Sequence, residues 1–222
     1  MVRIHSQPLQ TTLTRLGNSG LKVSRSRFIL GVGSYGSKSW EPSVVVEEEA
    51  IQHIKTPYHA GIQTFDTANV YSNGESERIL GKAIKQLELP RDEIVVMTKV
   101  HHVIRRKPGF VLPVGPCADA AGYVNQYGLS RKHIFEAIKH SLERLQLDYV
   151  DVLQCHRFDY DTPISETMQA LHDVVKAGYT QYIGMSSCFA YQFQAMQNYA
   201  IHHNITPFIL MQNQYNLVYR EE

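Results

Sequence analysis

The chain has 222 residues, 43% of them hydrophobic, and a formal net charge of +1 at pH 7. This length and apolar content predict a single domain, residues 1–222, with a buried core. The balanced, interspersed charge does not favour nucleic acid or a membrane surface as a partner. Since the sequence shows neither a secretory signal nor an apolar run long enough to span a bilayer, we expect a cytoplasmic protein.

Single strands alternate with single helices along the chain, after a short N-terminal hairpin. The hairpin is predicted within residues 12–24, because Gly17-Asn18-Ser19-Gly20 separates two short strand-like runs. Six strands are then expected, centred near residues 30, 64, 97, 153, 184 and 210. Five helices are expected between them, at about 44–60, 76–87, 130–145, 162–178 and 191–203.

Several helix ends carry local signals. Pro57 is expected to end or kink the first helix one turn early, because proline lacks the amide hydrogen that a helix uses. Ser130 is expected to cap the third helix. In the fourth helix, Thr162 is expected at the N-cap and Pro163 at the first helical position, with Gly178 at the C-terminal end.

Residues 101–129 interrupt the alternation with proline, glycine, cysteine and several aromatic residues, which predicts a long loop. The loop follows the third strand, so we expect it to lie above the strand ends. There, Phe110, Tyr123 and Tyr127 would shape the choice of substrate. The alternative interpretation is a disordered insertion.

An alternating order of strands and helices is typical of a parallel sheet covered by helices. The spacing of the strands fits the closed (β/α)8 barrel, in which a strand–helix unit averages about 31 residues. The predicted fold class is therefore α/β, of the (β/α)8 TIM-barrel type, with the N-terminal hairpin and about six of the eight strands present. In such barrels the active site lies at the carboxyl ends of the strands.

Polar side chains stand where the apolar strands stop. The second strand ends at Asp66, and Tyr71 follows five residues later on a loop. The third strand ends at Lys99 and the fourth at His156. Each residue also has a structural interpretation: a loop brace for Asp66, packing for Tyr71, a solvated edge for Lys99 and a satisfied histidine for His156. Their joint occurrence at one rim indicates an acid–base site.

These four side chains can deliver a proton to a substrate oxygen. A free phenol is a weak acid, with a pKa of about 10, and a neighbouring lysine cation favours the phenolate. Asp66 would balance the charge of Lys99, and His156 would donate a hydrogen bond to the substrate oxygen. This arrangement suits carbonyl reduction, because an alkoxide must be protonated as hydride arrives.

Six stretches carry a family signal and together extend over nearly the whole chain. They are Leu16–Ser24, Thr64–Gly74, Val96–Lys99, Gln154–Asp159, Tyr182–Ser187 and Gln212–Leu217. These stretches resemble the aldo-keto reductase family, in particular its fungal aryl-alcohol dehydrogenase-like members.

The resemblance implies an NADP-dependent oxidoreductase that reduces aldehydes or ketones with NADPH, or catalyses the reverse oxidation of alcohols. It implies that Tyr71 is the general acid, that Lys99 and Asp66 tune it, and that His156 orients the carbonyl. The partner would be a small carbonyl or alcohol substrate. The implied cofactor contacts are Ser34, Tyr35, Asp66, Ser186, Ser187 and Gln214.

Two other kinds of site are not favoured by the sequence. Gly31–Gly36 matches the dinucleotide pattern GxGxxG, but a loop follows it instead of the helix that would bind a pyrophosphate. Two histidine pairs, 101–102 and 202–203, are adjacent in sequence, and no HExxH motif or CxxC pair occurs. We therefore expect no metal site and a reducing compartment. Cys155 is expected to face away from His156 as a core thiol.

By comparison with the family, the sequence ends two strand–helix units early. In family members, those units hold the adenosine phosphate and stack on the nicotinamide, so we expect weak or absent NADPH binding by this chain alone. Isothermal titration would measure it, and micromolar affinity would contradict the expectation. A truncated gene model, an oligomer or a complementing partner would each account for the difference. The alternative function is a catalytically inactive remnant, or a regulatory or interaction subunit.

Overall fold

A curled parallel sheet forms the centre of the computed structural model, which describes residues 14–23, 28–106 and 116–220. Its strands are β3 (Leu30–Gly31), β4 (Thr64–Asp66), β5 (Val95–Val100), β6 (Val150–Cys155), β7 (Thr180–Ser186) and β8 (Phe208–Gln212). They are hydrogen bonded in chain order and all neighbours are parallel. Six consecutive strands of the predicted barrel are therefore confirmed.

The predicted N-terminal hairpin is also confirmed. It pairs β1 (Thr14–Arg15) with β2 (Lys22–Val23) in antiparallel register. Several parts of the predictions lie outside the described residues: positions 12, 13 and 24 of the hairpin, position 27 of the next strand and Phe110 of the loop.

Helices cover the outer face of the sheet. They are α1 (Glu47–His59), α2 (Glu75–Gln86), α3 (Pro116–Ala120), α4 (Arg131–Leu145), α5 (Ile164–Lys176) and α6 (Ala190–His202). All except α3 are the predicted connections between strands, and α3 is one short turn inside the long loop. Within the described residues, none of the helices combines the length and apolar character needed to cross a bilayer.

The strand side chains alternate between two faces of the sheet, as a pleated strand requires. On the outer face, residues such as Val96 and Leu153 belong to the large core shared with the helices. On the inner face, Val95, Met97 and Val152 form a smaller cluster. This alternation decides which side chains reach the inside of the curled sheet, and it places Lys99 on the same face as Met97.

The hairpin packs against the inner face. Leu21, which precedes β2, packs on the inner cluster. Gly17 lies against β8, where a Cβ atom would come within 2.6 Å of the carbonyl oxygen of Ile209, and its φ of +53° is also unfavourable for other residues. The hairpin therefore covers the end of the inner face opposite to the carboxyl ends of the strands.

Among the predictions about helix ends, an early end at Pro57 and the placement of Thr162 and Pro163 are wrong, whereas Ser130 and Gly178 stand where predicted. The helix α1 continues through Pro57 to His59, because proline removes only its own donor and Pro57 still accepts bonds from the amides of residues 60 and 62. Pro163, not Thr162, is the N-cap of α5, because the hydroxyl of Thr162 donates to Asp159 instead. Ser130 caps α4 by accepting a bond from the amide of residue 133, as predicted.

A buried ion pair ties β5 to two helices. Glu77 of α2 is fully buried and accepts a 2.6 Å bond from Nε of Arg144 in α4. The hydroxyl of Thr98 donates to the other carboxylate oxygen of Glu77 at 2.6 Å. Since Thr98 directly precedes Lys99, this contact fixes the strand end that carries the lysine.

Replacing Arg144 with methionine is expected to lower the free energy of unfolding by about 3–5 kcal/mol, because it leaves the Glu77 carboxylate buried without a countercharge. Urea unfolding would measure the change. The matched control is Arg78→Met, which breaks an exposed ion pair with Glu75 and should cost less than about 1 kcal/mol. Equal effects of the two substitutions would show that the buried pair does not stabilise the fold.

Candidate active site

Inward-facing polar side chains form a buried network at the carboxyl ends of four strands. Nζ of Lys99, whose side chain is 2% exposed, lies 2.6 Å from Oδ2 of Asp66. It also donates to the backbone oxygen of Thr67 at 2.9 Å. The side-chain amide of Gln154 donates to Oδ1 of Asp66 at 2.9 Å, and that of Gln212 donates to Oδ2 at 3.1 Å. Both oxygens of Asp66 are thereby satisfied, which a buried carboxylate requires.

Tyr71 stands above this network. Its ring centroid is 5.1 Å from Nζ of Lys99, so the lysine cation lies over the face of the ring. Gly33 lies against the ring, and a Cβ atom there would come within 3.2 Å of two ring carbons. Gly33, the second glycine of the GxGxxG pattern, therefore allows the Tyr71 ring to pack closely. No helix begins at that pattern.

The turn that carries Tyr71 is held from both sides. It continues into Ser72 and Asn73, which have φ angles of +49° and +57°, a backbone conformation that non-glycine residues seldom adopt. Ser72 accepts a 2.8 Å bond from the amide of Ser37. Asn73 exchanges two bonds with the backbone of Arg105, at 2.6 and 2.8 Å. These contacts offset the backbone strain and fix the phenol in place.

His156 directly follows β6 and faces Tyr71. The two ring centroids are 5.6 Å apart, with the rings nearly perpendicular. Burial lowers the pKa of His156 to about 2, and the nearby charge of Lys99 contributes in the same direction. Its imidazole is therefore neutral at neutral pH and has one N–H to donate. Its Nδ1 atom is buried without a partner among the described residues.

The structure thus brings together the four residues that the sequence proposed as an acid–base site. Two members of the network were missed, Gln154 and Gln212. Gln154 is two positions before His156 on the same strand, so the period of a strand could have placed it on the inner face. Cys155 points the other way into the outer core, where burial raises the pKa of its thiol; the expected core thiol is confirmed.

A cluster of aromatic rings extends the site beyond His156. The sequence predicted no metal site at His101 and His102 and indicated no other role for them. The ring of His102 is 5.1 Å from that of His156, and the ring of His101 is 4.9 Å from that of His102. Tyr127 adjoins His101 at 4.8 Å. Burial, the largest cause, lowers the pKa of His101 to about 3 and that of His102 to about 4.

The described parts of the long loop, residues 101–106 and 116–129, are anchored at the site. The amide of Gly128 donates to the backbone oxygen of His101 at 2.8 Å. The amide of Leu129 donates to Asp159 at 2.6 Å. Asp159 is itself fixed by the hydroxyl of Thr162. For these residues the loop is a structured wall of the site, which disagrees with the alternative of a disordered insertion.

The implied cofactor contacts lie in different environments. Ser186 ends β7 and is 4% exposed, and its hydroxyl lies 3.3 Å from that of Ser187. The side chain of Gln214 is exposed just beyond β8, and that of Ser34 is exposed in the turn after β3. Tyr35 is packed in the outer core.

Ser186, Ser187 and Gln214 therefore lie at the ends of two adjacent strands, on the same rim as the network. Their hydroxyl and amide groups suit a carboxamide partner, since all can donate and accept hydrogen bonds. Among the described residues, no three His, Cys, Asp or Glu side chains are grouped so that they could hold a metal ion.

Comparison with known proteins agrees with this geometry. The model of the Aldo/keto reductase family matches residues 27–222. The chain belongs to the aldo/keto reductase family. The match includes every residue of the network, as well as Tyr71 and His156.

Three curated relatives of this aldo/keto reductase chain come from fungi. The aldo-keto reductase dtxS3 of Metarhizium robertsii is 49% identical over 213 residues, which is 93% of this chain and 57% of the relative. The versiconal hemiacetal acetate reductase of Aspergillus parasiticus is 48% identical, over 94% of this chain and 60% of the relative. The putative aryl-alcohol dehydrogenase AAD16 of Saccharomyces cerevisiae is 43% identical, with shares of 94% and 60%. The chain thus spans less than two thirds of the length of these relatives.

Acid is expected to destabilise the fold through His101, His102 and His156. Their pKa values in the folded chain lie below the ordinary value of 6.5, so the unfolded chain binds more protons as the pH falls below 6.5. Each histidine then costs up to about 1.4 kcal/mol per pH unit until its folded pKa is reached. Thermal unfolding should therefore show a falling Tm between about pH 7 and about pH 5.

His101→Phe keeps an aromatic ring and removes one of these titrating groups, so its Tm should fall less steeply with acid than that of the parent chain. The matched control is His202→Gln, which removes an exposed imidazole from the end of α6. Its Tm should follow that of the parent. If His101→Phe showed the same pH dependence as the parent, the buried imidazole would not be the source of the acid sensitivity.

Proposed function

We propose that this chain carries the acid–base site of an NADPH-dependent oxidoreductase that reduces aldehydes or ketones, or oxidises the corresponding alcohols. One observation carries the proposal: the ring of a phenol, Tyr71, lies close to both the buried cation of Lys99 and the neutral imidazole of His156. The names of the curated relatives, which include reductases and putative aryl-alcohol dehydrogenases, support the same reaction class.

In the proposed reaction, the hydroxyl of Tyr71 donates its proton to the carbonyl oxygen as the alkoxide forms. The phenolate that remains is stabilised by Lys99, because a fixed cation in a buried site interacts with a developing charge more strongly than it would in water. Asp66 is the buried countercharge of Lys99. Gln154 and Gln212 hold Asp66 in place.

His156 has a different role in the proposal. Since its pKa is lowered to about 2, it does not act as an acid at neutral pH. A neutral imidazole can donate one N–H to the substrate oxygen and so direct that oxygen toward the hydroxyl of Tyr71. Tyr71 would thus donate the proton, and His156 would position the substrate oxygen.

When bound, NADPH would supply the hydride. Ser186, Ser187 and Gln214 would hold its nicotinamide carboxamide at the rim formed by the ends of β7 and β8. Ser34 is available from the turn after β3, whereas the side chain of Tyr35 is committed to the outer core. Asp66 already accepts bonds from three side chains, so its main proposed role is to hold the network together, ahead of any contact with the cofactor.

The aromatic wall favours aromatic substrates. The rings of His156, His102 and Tyr127 form a connected cluster next to Tyr71, and rings of this kind pack well on another aromatic ring. We therefore propose aryl aldehydes and aryl alcohols as the substrate class, with benzaldehyde as the simplest probe.

Replacing Tyr71 with phenylalanine tests this function. The variant keeps the ring that packs on Gly33 and loses only the proton donor, so kcat for benzaldehyde reduction with NADPH should fall by about 100-fold or more. NADPH oxidation followed by absorbance measures the rate, and circular dichroism checks that the variant folds. Tyr58→Phe is the matched control, because its hydroxyl donates to Glu93 on the opposite end of the sheet. Full activity of Tyr71→Phe would contradict the proposal.

A non-catalytic interaction role is the second candidate. Leu217 and Val218 lie just beyond β8 with 96% and 95% of their surfaces exposed, and Tyr215 nearby is 67% exposed. Exposed apolar residues beside an edge strand are typically covered by a further segment of chain or by another protein. Absence of turnover by the folded parent chain would favour this candidate over the reductase.

A further inference from the structure

Two serine hydroxyls meet where β7 ends. Ser186 is the last residue of β7, and Ser187 follows it. Successive side chains of an extended strand point to opposite faces of the sheet, yet the hydroxyl oxygens of these two serines are 3.3 Å apart. The alternation is broken at Ser187, whose φ of +49° lies in the left-handed region. The left-handed turn at Ser187 therefore brings the two hydroxyls together.

This backbone conformation is unfavourable for a serine. The left-handed region is uncommon for residues other than glycine, and asparagine, aspartate and histidine enter it more readily than serine does. Residues in such conformations persist only where the surrounding structure holds them, and they are concentrated at ligand sites. The conformation of Ser187 therefore depends on a contact that offsets its cost.

Asn213 makes that contact. It lies directly after β8, whose last residue, Gln212, is paired in register with Ser186. Oδ1 of Asn213 accepts a 3.0 Å hydrogen bond from the amide of Ser187. The same amide also donates to the backbone oxygen of Gln212 at 3.0 Å. Two acceptors at the end of β8 thus share the Ser187 amide, and of these only the Asn213 oxygen belongs to a side chain.

The end of β8 also contacts the proton-donating network. The side-chain amide of Gln212 donates to Oδ2 of Asp66 at 3.1 Å, and its neighbour Asn213 binds Ser187. Two consecutive side chains therefore contact the two parts of the proposed active site, the network under Tyr71 and the rim at the end of β7. A fixed spacing between these parts matters for hydride transfer, because the reacting groups must be held in a defined geometry.

We propose that Asn213 is a positioning residue of the nicotinamide site, which holds Ser187 so that the hydroxyls of Ser186 and Ser187 act together on one carboxamide. A carboxamide has an oxygen that accepts hydrogen bonds and an NH2 group that donates them. Two adjacent hydroxyls can meet both needs, since each can donate and accept. The inference rests on the proposed function, because it takes these serines as the contacts of the nicotinamide.

Nicotinamide is the probe, because it is the uncharged ring and carboxamide of the cofactor without the phosphates and the adenosine. NMR titration of the full 222-residue chain should give a saturable shift of the Ser187 amide signal, identified by its loss in Ser187→Gly. Asn213→Leu keeps the approximate size of the side chain and removes the acceptor, so it should bind nicotinamide about tenfold more weakly. Asn213→Asp keeps an acceptor oxygen and should bind within about threefold of the parent.

A second background separates positioning from general stabilisation. Ser187→Asn introduces a residue that adopts the left-handed conformation more readily than serine, so the contact with Asn213 is needed less. In that background, Asn213→Leu should weaken nicotinamide binding by less than about threefold. In the parent background, the Cα and Cβ chemical shifts of Ser187 should change in Asn213→Leu, because the residue leaves the left-handed region.

The matched control is Asn216→Leu. Oδ1 of Asn216 also accepts bonds from backbone amides, those of Val218 and Tyr219, in the same exposed segment. This variant should bind nicotinamide like the parent. Asn213→Ala also removes the acceptor and should behave like Asn213→Leu, so the result does not depend on the fit of a leucine. Urea unfolding checks that every variant is folded.

Different results would overturn this inference and the proposed function. Equal nicotinamide binding by the parent, Asn213→Leu and Asn213→Ala would overturn the role of Asn213 and leave the proposed function intact. Failure of Asn213→Asp to restore binding, or equal weakening by Asn213→Leu in both backgrounds, would do the same. Absence of saturable nicotinamide binding by the folded parent would instead overturn the assignment of this rim to the cofactor, and with it the role of Asn213.

Discussion

The ion pair between Lys99 and Asp66 is the interaction on which the site depends. A lysine that is 2% exposed keeps its charge only if a countercharge and hydrogen bonds replace the water it has lost. Asp66 supplies the countercharge, and the backbone oxygen of Thr67 accepts a second bond from Lys99. Gln154 and Gln212 in turn donate to Asp66. These groups come from neighbouring strands and the loop after β4, so the curled sheet is what allows the cation to exist beneath Tyr71.

The remainder of the fold supports this arrangement from outside. The outer-face bond between Thr98 and Glu77 fixes β5 one residue before Lys99, and the Arg144 cation balances Glu77. On the other side of the site, Asn73 and Asp159 tie the long loop to the rim. Two buried ion pairs therefore act on opposite faces of β5. The pair with Asp66 balances the charge of Lys99. The pair of Glu77 with Arg144 fixes the position of the lysine through Thr98.

Much of this could be predicted from the sequence because strands and their ends have local signals. Asp66, Lys99 and His156 each stand where an apolar run stops, and parallel strands bring their carboxyl ends together. The roles of Gln154 and Glu77 depend on partners that are distant in sequence, Asp66 and Arg144. Thr162 instead donates to Asp159, three residues before it, and does not cap α5. His101 and His102 are adjacent in the sequence, but their effect on the site comes from burial, which no local pattern reports.

The central claim is that Asp66 and Lys99 act as a buried pair in which Asp66 offsets the burial of Lys99, while Lys99 itself serves the proposed reaction at Tyr71. The direct test compares Lys99→Met with the double variant Lys99→Met/Asp66→Asn, measuring both the free energy of unfolding and benzaldehyde reduction. The single variant should lose about 3–5 kcal/mol, because a buried carboxylate is left alone. The double variant should regain most of that stability while both remain about 100-fold or more slower than the parent. Recovery of turnover together with stability would contradict the claim.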